Sequence, residues 1–378
     1  MLDGFATPSG TNRYSDRFPL LREHGHFRQQ KQIPGVSELS LSSIGLGTYL
    51  GEPSDEADLE YIDAIVAGLR SGVNVLDTAI NYRHQRSERN IGEALRRLSN
   101  SQELSRDEVL ICTKAGYLSF DGNVPTDPHA YFQQQYVTTG ILDPTQIAGG
   151  MHCIAPKYLA NQIERSRQNL GLTTIDVFYV HNPESQLGEI SRDVFNQRLR
   201  DAFTVLEEAV AQGKIRFYGV ATWGAFRLPQ GSRDYLGLPE LVKIAEDIAG
   251  TGHHFRFVQL PFNLAMSEAF ALTNQMLDGK TVPVLAAANA LGIAVIGSAT
   301  LYQGQLTRGL PNFVGKALGT RSDAETAIQF SRSAPGITTS LVGMGQKEHV
   351  ARNLKLAAQQ PATREKWMSL FSDKERTG

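Results

Sequence analysis

One feature constrains this chain more than any other. From Ser43 onward, short apolar runs alternate with stretches of helical periodicity. The runs are Ile44–Thr48, Val73–Asp77, Val109–Lys114, Ile175–His181, Phe217–Ala221, Phe257–Pro261, Ala294–Ala299 and Thr338–Gly343. Between them, Asp55–Arg70 repeats Leu59, Ile62, Ile65, Val66 and Leu69 at helical spacing and ends near Gly72. Ser87–Leu98 starts with a good capping residue. Lys157–Leu170 is entered by Pro156 and stopped by Gly171. Further helices are expected over Phe203–Ala211, Leu238–Ala249, Val284–Leu291, Ala324–Ser333 and His349–Ala358. Parallel strands need crossover helices, so this alternation implies a parallel α/β sheet. Eight repeats favour closure into a (β/α)8 (TIM) barrel over an open, doubly wound sheet. The open alternative should carry G-x-G-x-x-G after its first strand. Gly45-Leu46-Gly47 begins that pattern, but Leu50 stands at the third glycine position.

The chain has 378 residues, and a barrel takes roughly 250 residues or more as one domain. The expected division is an irregular polar arm at 1–42, with a short hairpin around Phe27 to Leu39, and one barrel domain over 43–378. Residues 115–155 interrupt the rhythm after the third strand. This stretch is rich in Gly, Pro and aromatics, including Tyr117, Phe120, Tyr131, Phe132 and Tyr136. Asn182–Ser191 is a shorter, polar interruption. Both follow strands, so both fall on the barrel face where active sites form. The long one is expected to cover substrate.

A formal net charge of −2 gives no basic excess for nucleic acid or an anionic membrane. Cys112 and Cys153 are too few for a disulfide framework or a cysteine-based metal site, so no metal is expected. No apolar run near the start reads as a secretory signal, and none is long enough to span a bilayer. A cytoplasmic setting fits these features. Oligomeric state is not readable.

Three strand ends carry ionisable groups, and a tyrosine lies just beyond one of them. Asp77 ends the second run, with Tyr82 shortly after; Lys114 ends the third and His181 the fourth. A buried strand tolerates such a group only when it is paired. A barrel brings these ends side by side, where Asp77 neutralises Lys114. Reducing a carbonyl needs a hydride at carbon and a proton at oxygen. A tyrosine is a weak proton carrier near neutral pH unless an adjacent ammonium stabilises its phenolate. His181 is placed to hydrogen-bond the substrate oxygen or share the proton.

These stretches resemble the aldo-keto reductase family. The similarity lies in Ile44–Tyr49 (IGLGTY), Asn74–Tyr82 (NVLDTAINY), Ser87–Leu95 (SERNIGEAL), Cys112–Lys114, Asp176–His181 (DVFYVH), Gly213–Val220 (GKIRFYGV) and Val342–Gly345 (VGMG). It runs from about residue 43 to 358 and rests on the whole order of motifs. The resemblance implies a catalytic tetrad of Asp77, Tyr82, Lys114 and His181. It also implies NADPH/NADP+ as cofactor, with NADH possible, and no metal.

The resemblance further implies an extended dinucleotide across the C-terminal face. Gly47, Thr48, Tyr49 and Asp77 would border it. The pyrophosphate would lie near Ser298, Ala299, Thr300, Leu301, Gln303 and Gln305. The adenosine end would lie at Gly343, Met344, Gly345 and Gln346, followed by His349, Arg352 and Asn353. Several positions depart from the family pattern. A Ser-Asn pair that holds the nicotinamide carboxamide is replaced by Thr222-Trp223, although Gln259 matches the family's carboxamide-binding glutamine. The aromatic that stacks under the nicotinamide is replaced by Gly297, with Trp223 or Tyr302 to compensate. The usual 2′-phosphate Arg is His349, leaving Lys347 or Arg352 for that task.

The function implied is NAD(P)H-dependent interconversion of a small carbonyl and an alcohol. Two alternatives stay open: a cofactor-retaining epimerase or lyase on the same barrel, and a cofactor-sensing, non-catalytic subunit. Asn182, Glu184 and His152 are expected to offer polar contacts to a substrate.

Overall fold

The computed structural model describes residues 1–29 and 32–372. Eight parallel strands close into a barrel: β1 (Ile44–Gly47), β2 (Val75–Asp77), β3 (Leu110–Ala115), β4 (Ile175–His181), β5 (Ile215–Ala221), β6 (Phe255–Pro261), β7 (Ala294–Ser298) and β8 (Ile337–Gly343). Neighbours in sequence are neighbours in space, and β8 pairs with β1 through Gly343 and Gly47. The principal crossover helices are α1 (Asp55–Arg70), α2 (Arg86–Asn100), α3 (Pro156–Leu170), α4 (Arg192–Ala211), α5 (Leu238–Ala249), α6 (Val284–Ala290) and α7 (Asp323–Ser333). Helix α8 (Lys347–Asn353) follows β8.

The helix ends follow local chemistry. Ser54 caps α1 by accepting from the Ala57 amide, and Asp55, Glu56 and Asp58 fill its first turn. Pro156 opens α3, and Gly171 closes it in the left-handed region (φ 65°). α2 departs from expectation. It starts at Arg86 behind a left-handed Gln85, so Ser87 lies inside the helix and not at its cap. α4 starts at Arg192, well before Phe203, because Ser191 supplies a cap that the preceding polar loop obscures.

Side chains alternate along each strand, so Val75 and Asp77 share one face of β2, as do Leu110, Cys112 and Lys114 on β3. The inward faces form one apolar cluster with Val177, Tyr179, Phe217, Phe257, Ile296 and Leu341. Ile33, Val36 and Leu39 of the arm belong to the same cluster and plug the N-terminal mouth. A larger cluster joins the outer strand faces to the helices. Gly219 permits one close approach: a Cβ there would stand 1.8 Å from the Phe257 carbonyl oxygen.

The arm carries two short helices, Pro8–Asp16 and Pro19–Glu23, which its polar composition does not announce. The first is buried along one face through tertiary contacts, such as the Tyr14 hydroxyl shared between the Leu69 and Val73 carbonyls. The expected hairpin is wider than its sequence suggests. Phe27–Arg28 pairs with Leu41–Ser42, and residues 30–31 of the connection lie outside the described residues. The 115–155 segment has a packed core of its own, formed by Leu118, Tyr136, Leu142 and Cys153 against Tyr158 of α3. Among the described residues, no helix is long and apolar enough to cross a membrane.

Candidate active site

Period-two alternation gives the site its geometry. Asp77, Lys114 and His181 are the last inward-facing residues of β2, β3 and β4, and Gln259 faces inward near the end of β6, above the apolar interior. Lys114 Nζ donates to Asp77 Oδ1 at 2.6 Å and to the Thr78 carbonyl at 2.7 Å. Gln259 Nε2 reaches across the barrel to Asp77 Oδ2 at 2.7 Å. Lys114 is fully buried. Burial pulls its pKa down, but Asp77 and Tyr82 outweigh that and leave it raised, so the ammonium persists. Burial also pushes the Asp77 carboxyl up, against the pull of Lys114 and Gln259.

Tyr82 stands over this pair. Its ring centroid is 4.9 Å from Lys114 Nζ and 5.9 Å from the His181 ring. The phenol is not acidified overall, contrary to the expectation from lysine alone. Burial raises its pKa, and the Lys114 charge and hydrogen bonding only partly offset that. His181 is driven well below its ordinary value by burial, then by Lys114, and is neutral. Its Nδ1 is buried without a hydrogen-bond partner among the described residues.

The turn after Tyr82 is unusual. Arg83, His84 and Gln85 are all left-handed (φ 48°, 56° and 73°), a conformation that costs bulky residues energy. Side chains hold it. Arg83 donates to the Glu52 carbonyl at 2.9 Å and to Asp58 at 2.6 Å. Gln85 donates to the Phe120 carbonyl at 2.9 Å and accepts from Asn169 at 3.0 Å. No glycine or asparagine occupies the three left-handed positions, so their conformation was not legible in the sequence.

A hydrogen-bond chain behind His181 was also missed. Arg198 donates to Gln186, Gln186 Nε2 lies 2.9 Å from His152 Nδ1, and His152 Nε2 lies 2.7 Å from the His181 carbonyl oxygen. Gln186 as donor makes Nδ1 the acceptor, so Nε2–H donates to His181. Burial lowers the His152 pKa to about 4, which keeps it neutral. Gly116 makes room for this contact: a Cβ there would lie 2.5 Å from the His181 oxygen.

His152 is therefore committed within the fold and is not free for substrate. Asn182 donates to the Tyr117 hydroxyl at 3.1 Å. Glu184 is turned inward as well: its Oε1 accepts from the Trp223 amide at 2.9 Å and the Gly224 amide at 3.3 Å. Its Oε2 has no partner among the described residues, and burial raises its pKa to about 7. Of the three polar side chains expected to meet substrate, His152 and Glu184 instead position the loops after β3, β4 and β5, and Asn182 is half-buried beside Tyr117. The 115–155 segment brings Tyr117 edge-on to His181, with centroids 5.2 Å apart. It buttresses the histidine, beyond any covering role.

The cofactor residues named from the resemblance are dispersed along the rim. Tyr49 and Trp223 are about half exposed, and Tyr49 packs edge-on to Tyr82. Thr48 donates to the Asp77 carbonyl, and Met344 is buried in the core, so each has only its backbone to offer. Asn353 is also buried, whereas Arg352 is exposed. The remaining donor set suits a dinucleotide. Thr222 Oγ1 and Thr300 Oγ1 are buried without partners among the described residues. Ala299, Tyr302, Gln303 and Gly304 are left-handed, and such turns aim backbone N–H groups at anions. At Gly297 an added Cβ would stand in ordinary contact with Ile337 and Phe262, 3.6–3.7 Å away. Gln346 precedes α8, with Gly343, Gly345 and His349 close by in sequence.

Comparison with known proteins agrees with this geometry. Residues 43–235 match the model of the aldo/keto reductase family. An NADH-specific methylglyoxal reductase of Escherichia coli is 28% identical over 217 residues, spanning 56% of each chain. A putative voltage-gated potassium channel subunit beta of Schizosaccharomyces pombe is 23% identical over 350 residues, or 87% of this chain and 89% of that one. An aldo-keto reductase from Bacillus halodurans, solved in its holo form, superposes with a TM-score of 0.62 at 17% identity, covering 91% of this chain and 95% of that one. One from Klebsiella pneumoniae, solved with NADP and acetate, gives 0.60 at 20% identity, covering 93% and 98%.

Proposed function

The chain belongs to the aldo/keto reductase family, and from that premise we propose that it reduces small aldehydes or ketones with a nicotinamide dinucleotide, Tyr82 delivering the proton. The observation that carries this reading is the Tyr82 phenol standing against a buried Lys114–Asp77 pair and a neutral His181. When bound, the reduced nicotinamide supplies the hydride. His181 and Tyr82 orient the carbonyl oxygen. Tyr82 gives up its proton as negative charge develops there, and Lys114 stabilises the phenolate left behind. Asp77 holds the ammonium in place. The phenol keeps its proton near neutral pH, which is the form that reduction requires.

For the cofactor, Thr222 and Gln259 are assigned to the carboxamide, and the turn from Ser298 to Gln305 to the pyrophosphate. Trp223 or Tyr302 is assigned to the nicotinamide face, and Lys347 or Arg352 to a 2′-phosphate. Matching NADP complexes among neighbours of the same fold support NADPH, and the NADH-specific Escherichia coli relative keeps NADH in play. Because that relative is matched over 56% of its length, its substrate is carried over only as a class: a small carbonyl compound. Balanced charge and two buried free cysteines support a reducing, cytoplasmic setting without a nucleic-acid partner.

The test is a panel of aldehydes and ketones with NADPH and with NADH, followed by loss of nicotinamide absorbance and identification of the product alcohol. Turnover with stoichiometric cofactor oxidation supports the proposal. Product formed with no net cofactor oxidation favours an epimerase or lyase. Cofactor binding with no turnover across the panel favours a sensing subunit. Either of the last two results overturns it.

A further inference from the structure

At the N-terminal mouth of the barrel, opposite the active-site face, lies a cavity of about 380 Å³. The arm, the starts of β5 and β6 and the loop before β6 enclose it; Phe5, Arg216, Phe217, His253, His254 and Arg256 are among its lining residues. Among the described residues, no carboxylate lines it. The Arg216 guanidinium lies 4.2 Å from the Phe5 ring centroid and 5.1 Å from that of Phe217, and its Nε is buried without a partner among the described residues. Arg256 is only 5% exposed. Its Nη1 reaches His253 Nδ1 at 2.9 Å and the Phe255 carbonyl at 3.1 Å, which are uncharged partners.

The nearby carboxylates are already committed. Asp176 accepts from Arg106 and from the Ala6 and Ile111 amides. Glu207 accepts from the His254 amide at 2.7 Å and lies 2.8 Å from His254 Nδ1. Two guanidinium groups, Arg256 buried and Arg216 half-buried, thus line the cavity with no ion-pair partner of their own among the described residues. Burial pushes both below the usual arginine range, and the Asp176 charge near Arg216 and the Glu207 charge near Arg256 only partly offset it.

We propose that this mouth is a second binding site, for a phosphate group carried by inorganic phosphate or a small phosphate monoester. Planar guanidinium groups bind phosphate oxygens through paired N–H donors. The Arg216 guanidinium carbon lies over the Phe5 and Phe217 rings, and its Nε is left without a partner among the described residues, free for a ligand. The cavity exceeds what a bare phosphate needs, so there is room for a short organic group beside the two rings. Since Phe5, Pro34 and Gly35 come from the arm, occupancy ties the arm to the barrel.

The experiment is calorimetric titration of the full chain, saturated with NADP+, with inorganic phosphate and separately with glycerol phosphate, against chloride at matched ionic strength. Saturating cofactor keeps phosphate from the opposite face. One saturable phosphate per chain is expected, weakened roughly tenfold or more in Arg216→Gln and in Arg256→Gln. Binding of the inorganic ion alone identifies free phosphate as the ligand, and preference for the ester identifies a monoester. Arg216 is half-buried, so Arg216→Gln decides the matter if Arg256→Gln fails to fold. Absence of saturable binding, or undiminished binding in Arg216→Gln, overturns the proposal.

Discussion

Lys114 donates to Asp77 across 2.6 Å at the buried end of the barrel, and Gln259 occupies the second carboxylate oxygen. Removing one member strands the other charge in a low-dielectric interior. Asp77→Ala is expected to cost about 3–5 kcal/mol of stability and to lower turnover. Asp77→Asn keeps the shape and should cost less stability while still losing turnover. Denaturant melts and kinetics of both variants check this. Wild-type stability in Asp77→Ala would mean that the pair does not hold the site together.

Gly116 faces the His181 carbonyl where no Cβ fits. Gly116→Ala should displace either His152 or His181, costing about 1–3 kcal/mol as overpacking and reducing kcat more than it raises KM. Gln186→Leu should reproduce the kcat loss without adding volume at Gly116, since it cuts the chain that fixes His152. A melting temperature and kcat equal to wild type in Gly116→Ala would remove the positioning role.

Glu184 gives a pH prediction. Its folded pKa is raised to about 7 from an ordinary value of 4.5, with burial the largest cause. Between those values the folded state holds a proton that the unfolded chain has released. Stability therefore falls as pH rises through that window, by an amount on the order of 3 kcal/mol. Glu184→Gln can still accept from the Trp223 and Gly224 amides but cannot ionise. Its stability should decline less between pH 4.5 and 7, leaving the variant more stable than wild type at higher pH. Parallel melts of the two proteins across that range test this, and identical pH profiles would refute it.

The barrel was legible because fully buried parallel strands read as continuous apolar runs, and because Pro156, Gly171 and similar end signals punctuate the helices. Asp77, Lys114 and His181 stood out because each is an ionisable residue ending such a run. What remained hidden depends on tertiary contacts. The left-handed Arg83–Gln85 turn is stabilised by Glu52, Asp58 and Phe120, far away in sequence. The His152–Gln186–Arg198 chain joins two loops and a helix, with no local spacing to announce it. Glu184 looked available to substrate because loop position says nothing about which way a side chain turns. The direction of the Tyr82 shift was misread because the lysine's charge is visible in sequence and the depth of burial is not.

The most direct test is single-turnover reduction by Tyr82→Phe, measured beside cofactor binding in the same protein. With an effective carbonyl substrate, reduction should slow by about 10²–10⁴-fold or more. Cofactor affinity should stay close to wild type, since the hydroxyl is assigned to the carbonyl and not to the dinucleotide. Reduction at the wild-type rate in a variant that binds cofactor normally would contradict the account.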